Sequence, residues 1–199
     1  MDLSEEWRTH VNRKEMIKRI FHRLWSVEKT LFLYKKENIV PQKTPLFEGV
    51  FFRCKTEDAD CTASFEDAGY YAPIYRKMIE KGDWVVLGVL EQECVFRCCV
   101  QLCGDINFDG CVVRSLQKQE AYIHYVYCSP EHRGKGFHKE CLRWIASQLP
   151  GYRFWAQVQE KNIPSMKGFK ENGFAVYSEL TSYNRLGKRW IREKRKEEK

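Results

Sequence analysis

Residues 122–136, YIHYVYCSPEHRGKG, decide how the rest of the chain is read. The first seven are apolar or aromatic and suit a buried strand, 121–128. Ser129-Pro130 ends it, because proline cannot donate to a strand ladder. Arg133, Gly134, Lys135 and Gly136 then make a tight loop that opens a helix over about 135–148. Phe137, Cys141, Ile145 and Leu149 mark the apolar face of that helix, and Pro150-Gly151 stops it. Two glycines let the backbone bend and approach a ligand closely. Successive amide N–H groups can turn inward as an anion nest, and the helix N-terminus adds partial positive charge. Arg133 and Lys135 add whole charges. The ligand this arrangement wants is a pyrophosphate or a similar dianion. Neither the phosphate loop of nucleotide triphosphatases, G-x-x-x-x-G-K-S/T, nor the dinucleotide fingerprint G-x-G-x-x-G is present.

Outward from this stretch, residues 153–159 alternate Phe154, Ala156 and Val158 as a strand. The helix between makes 121–128 and 153–159 parallel neighbours through a right-handed crossover. Residues 164–171 form a short helix closed by Asn172-Gly173, and 174–180 form the last strand. Upstream, Ile17, Ile20, Phe21 and Leu24 repeat at helical spacing, which predicts a helix over 5–27. Strands follow at 31–35 and 47–53, and Thr56 caps a turn. A helix over about 66–80 buries Tyr71, Ile74, Tyr75 and Met78 and stops at Gly82. Trp84–Leu90 and 94–103 make an antiparallel pair joined at Glu91-Gln92. Residues 104–119 form a loop with a short strand at 111–113, and from Lys188 the tail is charged. The fold class is α+β, a mixed and mostly antiparallel sheet flanked by helices, with an N-terminal helical extension. Three parts result: a helix-and-strand extension (1–46), a main domain (47–183) and a basic C-terminal tail (184–199).

Composition is that of a globular chain: 199 residues, 43% hydrophobic, 31% charged and 14% aromatic, with net charge +7. The positive excess gathers at the two ends, where solvated faces account for it. Met1-Asp2-Leu3-Ser4-Glu5-Glu6 is followed by no apolar signal core, and no apolar run is long enough to span a bilayer. Nine cysteines in such a chain are expected to be free thiols in a reducing cytoplasm. No C-x-x-C pair exists, and neighbours in a strand such as Cys98 and Cys99 point to opposite faces, so no metal is expected.

Two segments carry a family resemblance. PEHRGKGFHKECL (130–142) resembles the acetyl-CoA loop R/Q-x-x-G-x-G/A of the general-control-related N-acetyltransferase (GNAT) superfamily. Arg133 and Gly136 fill the first two fixed positions, and His138 stands third, where the family prefers Gly or Ala. A histidine there is expected to donate to a phosphate. NIPSMKGFKENGF (162–174) resembles the family's closing segment N-x-x-A-x-x-x-Y-x-x-x-G-F. Phe169 stands where many members place a tyrosine acid. The resemblance covers about 47–183. It implies acetyl-CoA as acyl donor, its pyrophosphate held by Arg133, Gly134, Lys135, Gly136, Phe137 and His138. Its pantetheine arm would lie along Val126, Tyr127 and Cys128, with Asn162 and Ser165 opposite.

Acetylating an amine requires a neutral amine, a group to take its proton, and a donor for the developing oxyanion. By resemblance that donor is the Cys128 amide. The leaving thiolate has a basicity near that of a free thiol, about 8.5, so an acid is optional. His124 is the base candidate. It is expected to share a strand face with Tyr122, Val126 and Cys128 and to titrate near 6.5. Tyr122 replaces the glutamate frequent in the family, and Glu120 is the next suspect. Cys128 could instead be a buried strand thiol, His132 a turn residue, and Tyr70, Tyr71, Tyr75, Trp84 and Phe96 either pocket or core. The expected reaction is transfer to the primary amine of a small molecule. A protein or peptide amine, or a non-catalytic acyl-CoA sensor, remain alternatives. No nucleic-acid partner is expected, since no binding motif is matched. A homodimer is left open.

Overall fold

The computed structural model describes residues 25–35, 50–54 and 68–196. In chain order the elements are β1 (Trp25–Lys35), β2 (Val50–Arg53), α1 (Ala68–Glu80), β3 (Trp84–Leu90), β4 (Glu93–Gln101), β5 (Asp105–Phe108), β6 (Cys111–Ser115) and β7 (Glu120–Cys128). They continue with α2 (Phe137–Gln148), β8 (Arg153–Val158), α3 (Ile163–Glu171), β9 (Ala175–Arg185) and β10 (Lys188–Arg195). Eight strands form one sheet in the order β10-β9-β1-β8-β7-β4-β3-β2. Every neighbouring pair is antiparallel except β7 and β8, which are parallel across the α2 crossover.

One sheet face is packed by α2 and α3. Val86, Phe96, Ile123 and Ala156 of the sheet meet Phe137, Leu142 and Ile145 of α2 and Phe169 of α3 there. Asn172 ties the two helices by donating to the Gly168 and Lys139 carbonyls. The other face is covered twice. Tyr75 and Met78 of α1 pack on Val85, Leu87 and Cys99. A two-stranded hairpin, β5–β6, packs Ile106 on Phe32, Tyr122, Trp155 and Leu180.

Several elements differ from expectation. Residues 25–27, placed at the end of a helix, are strand, because β1 pairs with β9 from Trp25 to Tyr34, with one register shift between Phe32 and Leu33. The rest of the 5–27 helix and Thr56 lie outside the described residues, as do the side chain of Tyr70 and residues 47–49. β1 is no appendage: it sits between β8 and β9. The 104–119 segment is a hairpin because Asp109 and Gly110 both take positive φ (+48° and +78°), which closes a two-residue turn. Residues 188–195 form the edge strand β10 rather than a tail, joined to β9 through Leu186 and Gly187 in the same left-handed region. The Glu91-Gln92 turn is as expected and carries φ of +49° and +70° without a glycine.

Candidate functional site

The site begins with an irregularity in β7. Tyr125 takes φ +49°, and the β4 register shifts there. Arg97 faces Tyr127 while Cys99 faces His124, so Tyr125 and Val126 together oppose Cys98. This is a β-bulge, and the extra residue inverts the alternation of side chains. Ile123, Val126 and Cys128 fall on the helix side, whereas Tyr122 and Tyr127 fall on the opposite side. His124 stacks on Tyr122, with ring centroids 5.0 Å apart. The expectation that His124 shares a face with Val126 and Cys128 is therefore corrected: regular alternation does not survive the bulge.

Pairing of β7 with β8 runs from Glu120↔Arg153 to Ile123↔Ala156 and stops. Beyond it the strands splay, and a cavity of about 310 Å³ opens between them. His124, Tyr125, Val126 and Tyr127 line it from β7, Gln157 and Val158 from β8, and Asn162, Ser165 and Phe169 from the α3 segment. Ile123, Gln159, Tyr71 of α1 and Arg97 of β4 complete it. Segments far apart in sequence thus meet at one opening. Cys128 is not among these lining residues; it lies one step further along β7, where its carbonyl accepts from Arg133 Nε at 3.2 Å. Burial pushes the Cys128 thiol up to about 11, against the opposing pull of Arg133 and Lys135. That is the behaviour of a packed thiol and not of a nucleophile.

His124 is half-buried at the cavity wall, and its Nε2 is buried with no hydrogen-bond partner. Burial pushes its pKa down to about 4 instead of the expected 6.5. Glu120 is excluded as a substitute base. It is buried at the opposite end of β7, held by Arg114 at 2.7 Å and Arg153 at 3.5 Å, and it accepts from the Gln117 N–H.

The glycine-rich loop stands beyond the same end of β7. A short 3-10 turn at Pro130–His132 is pinned by Ser129 Oγ and His132 Nδ1 at 2.9 Å, so His132 serves the turn. Gly134 and Gly136 take φ of +77° and +88°, and a Cβ added at either would meet nothing within 4 Å. The ground in front of them is open. Gly136 is the N-cap of α2 and offers no side chain to its first N–H groups. A pyrophosphate fits such a cradle: a glycine-rich turn, a helix N-terminus, and the cations Arg133 and Lys135. His138 does not point there. Its ring lies edge-on to Phe169 (4.6 Å) and against Gly168, with Nε2 buried and its pKa pushed down to about 4. Its expected side-chain contact with phosphate is corrected, leaving only its main-chain N–H on that side.

Asn162 caps α3 by accepting from the Ser165 N–H at 3.2 Å, so these two residues are fixed together at the cavity wall. Arg97 went unnoticed in the sequence. It is buried on a central strand, its guanidinium 4.7 Å from the Tyr71 ring centroid and 4.5 Å from that of Tyr127. Its signal was an arginine amid the apolar run Val95-Phe96-Arg97-Cys98-Cys99, where a charge needs a built environment.

The Acetyltransferase (GNAT) family model matches residues 54–174, more than half of the chain, so the chain belongs to the GNAT acetyltransferase family. Comparison with curated protein sequences returned no match. Among solved structures, a GNAT-family acetyltransferase from Colwellia psychrerythraea is similar at 13% identity and TM-score 0.57, covering 85% of this chain and 61% of that one. The structure of a fungal multidomain β-N-acetylglucosaminidase with a glucosamine N-acetyltransferase region is similar at 12% identity and TM-score 0.58, covering 85% of this chain and 22% of that one. A protein from Novosphingobium aromaticivorans described as of the GNAT family gives 12%, 0.54, 78% and 63%. The chain thus spans less than two thirds of these structures, and at such identities the likeness is one of fold. Among the described residues no helix is long and apolar enough to cross a membrane, and no cluster suits a metal ion.

Proposed function

We propose that this chain transfers the acetyl group of acetyl-CoA to the primary amine of a small molecule, by direct attack within a ternary complex. The observation that carries it is the splayed β7/β8 pair, whose cavity His124 lines, together with the glycine-rich loop at the α2 N-terminus beyond the same end of β7. When bound, acetyl-CoA supplies an activated thioester. The chain's own residues then divide the work. Arg133, Gly134, Lys135, Gly136 and the first N–H groups of α2 hold the pyrophosphate. The main chain of Val126, Tyr127 and Cys128 guides the pantetheine arm, with Asn162 and Ser165 across the gap. The Cys128 amide N–H serves the oxyanion. His124 accepts the amine proton, directly or through water. Phe169 provides no acid, so the thiolate leaves unaided. The cytoplasm is the proposed site of action, and every cysteine among the described residues is a free thiol.

The test is release of free CoA across a broad panel of amines, with CoA affinity measured in parallel. Amine-dependent release supports the reading. Tight CoA binding without release on any amine supports a non-catalytic acyl-CoA sensor instead. That alternative draws on two observations: the weak basicity of His124 and the missing hydroxyl at position 169.

A further inference from the structure

The far end of the sheet carries a surface the acetyltransferase reading does not use. β8 pairs with β1 only at Leu31–Lys35, so residues 25–30 project beyond it with β9 and β10 alone. Directly paired residues share a face, and the registers set out three rows across these strands. Trp25, Arg185 and Lys188 form the first row; Val27, Tyr183 and Trp190 the second; Lys29, Thr181 and Arg192 the third. Successive rows are two residues apart along the strand, roughly 6.8 Å. A row with two rings is thus flanked by rows that carry four cations and a third ring, Trp25. Trp25 is 56% exposed, Val27 53% and Trp190 46%. Arg185, Lys188, Arg192 and Lys29 are exposed as well. The opposite face of the same strands is closed, with Ser178, Leu180, Ser182 and Asn184 buried on the hairpin side.

The rings are already ordered. Tyr183 and Trp190 stack with centroids 5.4 Å apart and planes 11° from parallel. The Arg185 guanidinium lies 4.8 Å from the Trp25 ring centroid. An acidic peptide would satisfy the cations and leave the rings idle. A membrane surface would need apolar side chains standing proud of the cations, whereas here rings and cations alternate across the same sheet face. Single-stranded nucleic acid uses both: bases stack on aromatic faces while phosphates meet Arg and Lys. The sequence hides this array because Trp25, Tyr183 and Trp190 come from distant segments. We propose that the outer face of β1, β9 and β10 binds single-stranded nucleic acid, without base-specific contacts.

The experiment is fluorescence anisotropy with a labelled twelve-nucleotide oligouridylate, on the full chain. The same-length duplex, poly-glutamate and anionic phospholipid vesicles serve as competitors. Expected is saturable binding with quenching of tryptophan emission. Trp25→Ala with Trp190→Ala should weaken it at least tenfold, since a stacked base contributes about 1–3 kcal/mol. Lys188→Gln with Arg192→Gln should lower the salt slope by about 1.4, two phosphate contacts' worth for a single strand. Those two positions are exposed, so this variant tests the surface even where the tryptophan variant fails to fold. Circular dichroism and the unfolding midpoint verify both. Absence of saturable binding overturns the proposal. So does unchanged affinity in both folded variants, or competition by duplex, poly-glutamate or vesicles at equal strength.

Discussion

His124 and His138 are both held neutral by burial, each with its pKa pushed down to about 4. At pH 7 the rings are uncharged folded or unfolded, so neither alters stability there. As pH falls below about 6.5 the unfolded chain binds protons that the folded chain refuses, and stability is lost until about pH 4. A full displacement from 6.5 to about 4 corresponds to roughly 3 kcal/mol per ring as an upper figure. Urea unfolding at pH 7 and pH 4.5 should therefore show a marked acid loss, and His138→Leu should remove a substantial part of it. Equal losses in both proteins would place the acid sensitivity elsewhere. For catalysis the same burial sets a limit. A base this far below working pH gives little driving force, so His124→Ala should lower kcat near the low end of the usual range, about 10²-fold, with CoA affinity little changed. Full activity of that variant on a verified acceptor would remove His124 from the mechanism. None of this was legible from the sequence, which names a histidine and not its burial. Arg97 was equally hidden, since its three-tyrosine surroundings come from α1 and β7.

At the scale of elements, the loop and the bulge behaved differently under sequence reading. The loop was legible because its chemistry is local: two glycines, two cations and a following helix are contiguous. Both glycines proved to need the left-handed region, and their faces are open rather than crowded. A side chain there costs backbone strain of about 1–2 kcal/mol and also fills the ligand's ground. Replacing Gly134 and Gly136 together by valine should abolish calorimetric CoA binding, while the unfolding midpoint falls only modestly. Retained affinity would refute the pyrophosphate assignment. The bulge was not legible, because Tyr122-Ile123-His124-Tyr125-Val126-Tyr127 is apolar or aromatic on both sides of the strand. Such a run gives no alternation from which a one-residue slip could be noticed. That slip decides which face His124 joins. Phe169 of α3 lines the same cavity, and Phe169→Tyr is a direct probe there: faster turnover would mean that the missing acid limited thiolate release, and unchanged turnover that it did not.

At the scale of the molecule, the family match and the folding unit are not the same stretch. The match covers residues 54–174, yet the sheet is ordered β10-β9-β1-β8-β7-β4-β3-β2, with β1 from before that span in its interior. A boundary at 46/47 followed from the stretch over which the family resemblance runs, 47–183. Pairing across the sheet overrides that boundary. Phe32 and Leu33 of β1 are almost wholly buried, one toward the hairpin and one toward α2 and α3. Removing β1 would uncover both cores and leave β8 and β9 with unpaired edges. The edge strand β10 is the contrasting case: seven of its eight residues are exposed, and among the described residues only β9 pairs with it. A chain truncated after Gly187 should therefore fold, bind CoA as tightly as the full chain, and lose only a little of its unfolding midpoint. A chain beginning at residue 47 should be unfolded or aggregated by circular dichroism and size exclusion. If the 47–199 fragment instead unfolds cooperatively and binds CoA, then β1 is an accessory strand, and the helix-side core closes without Leu33.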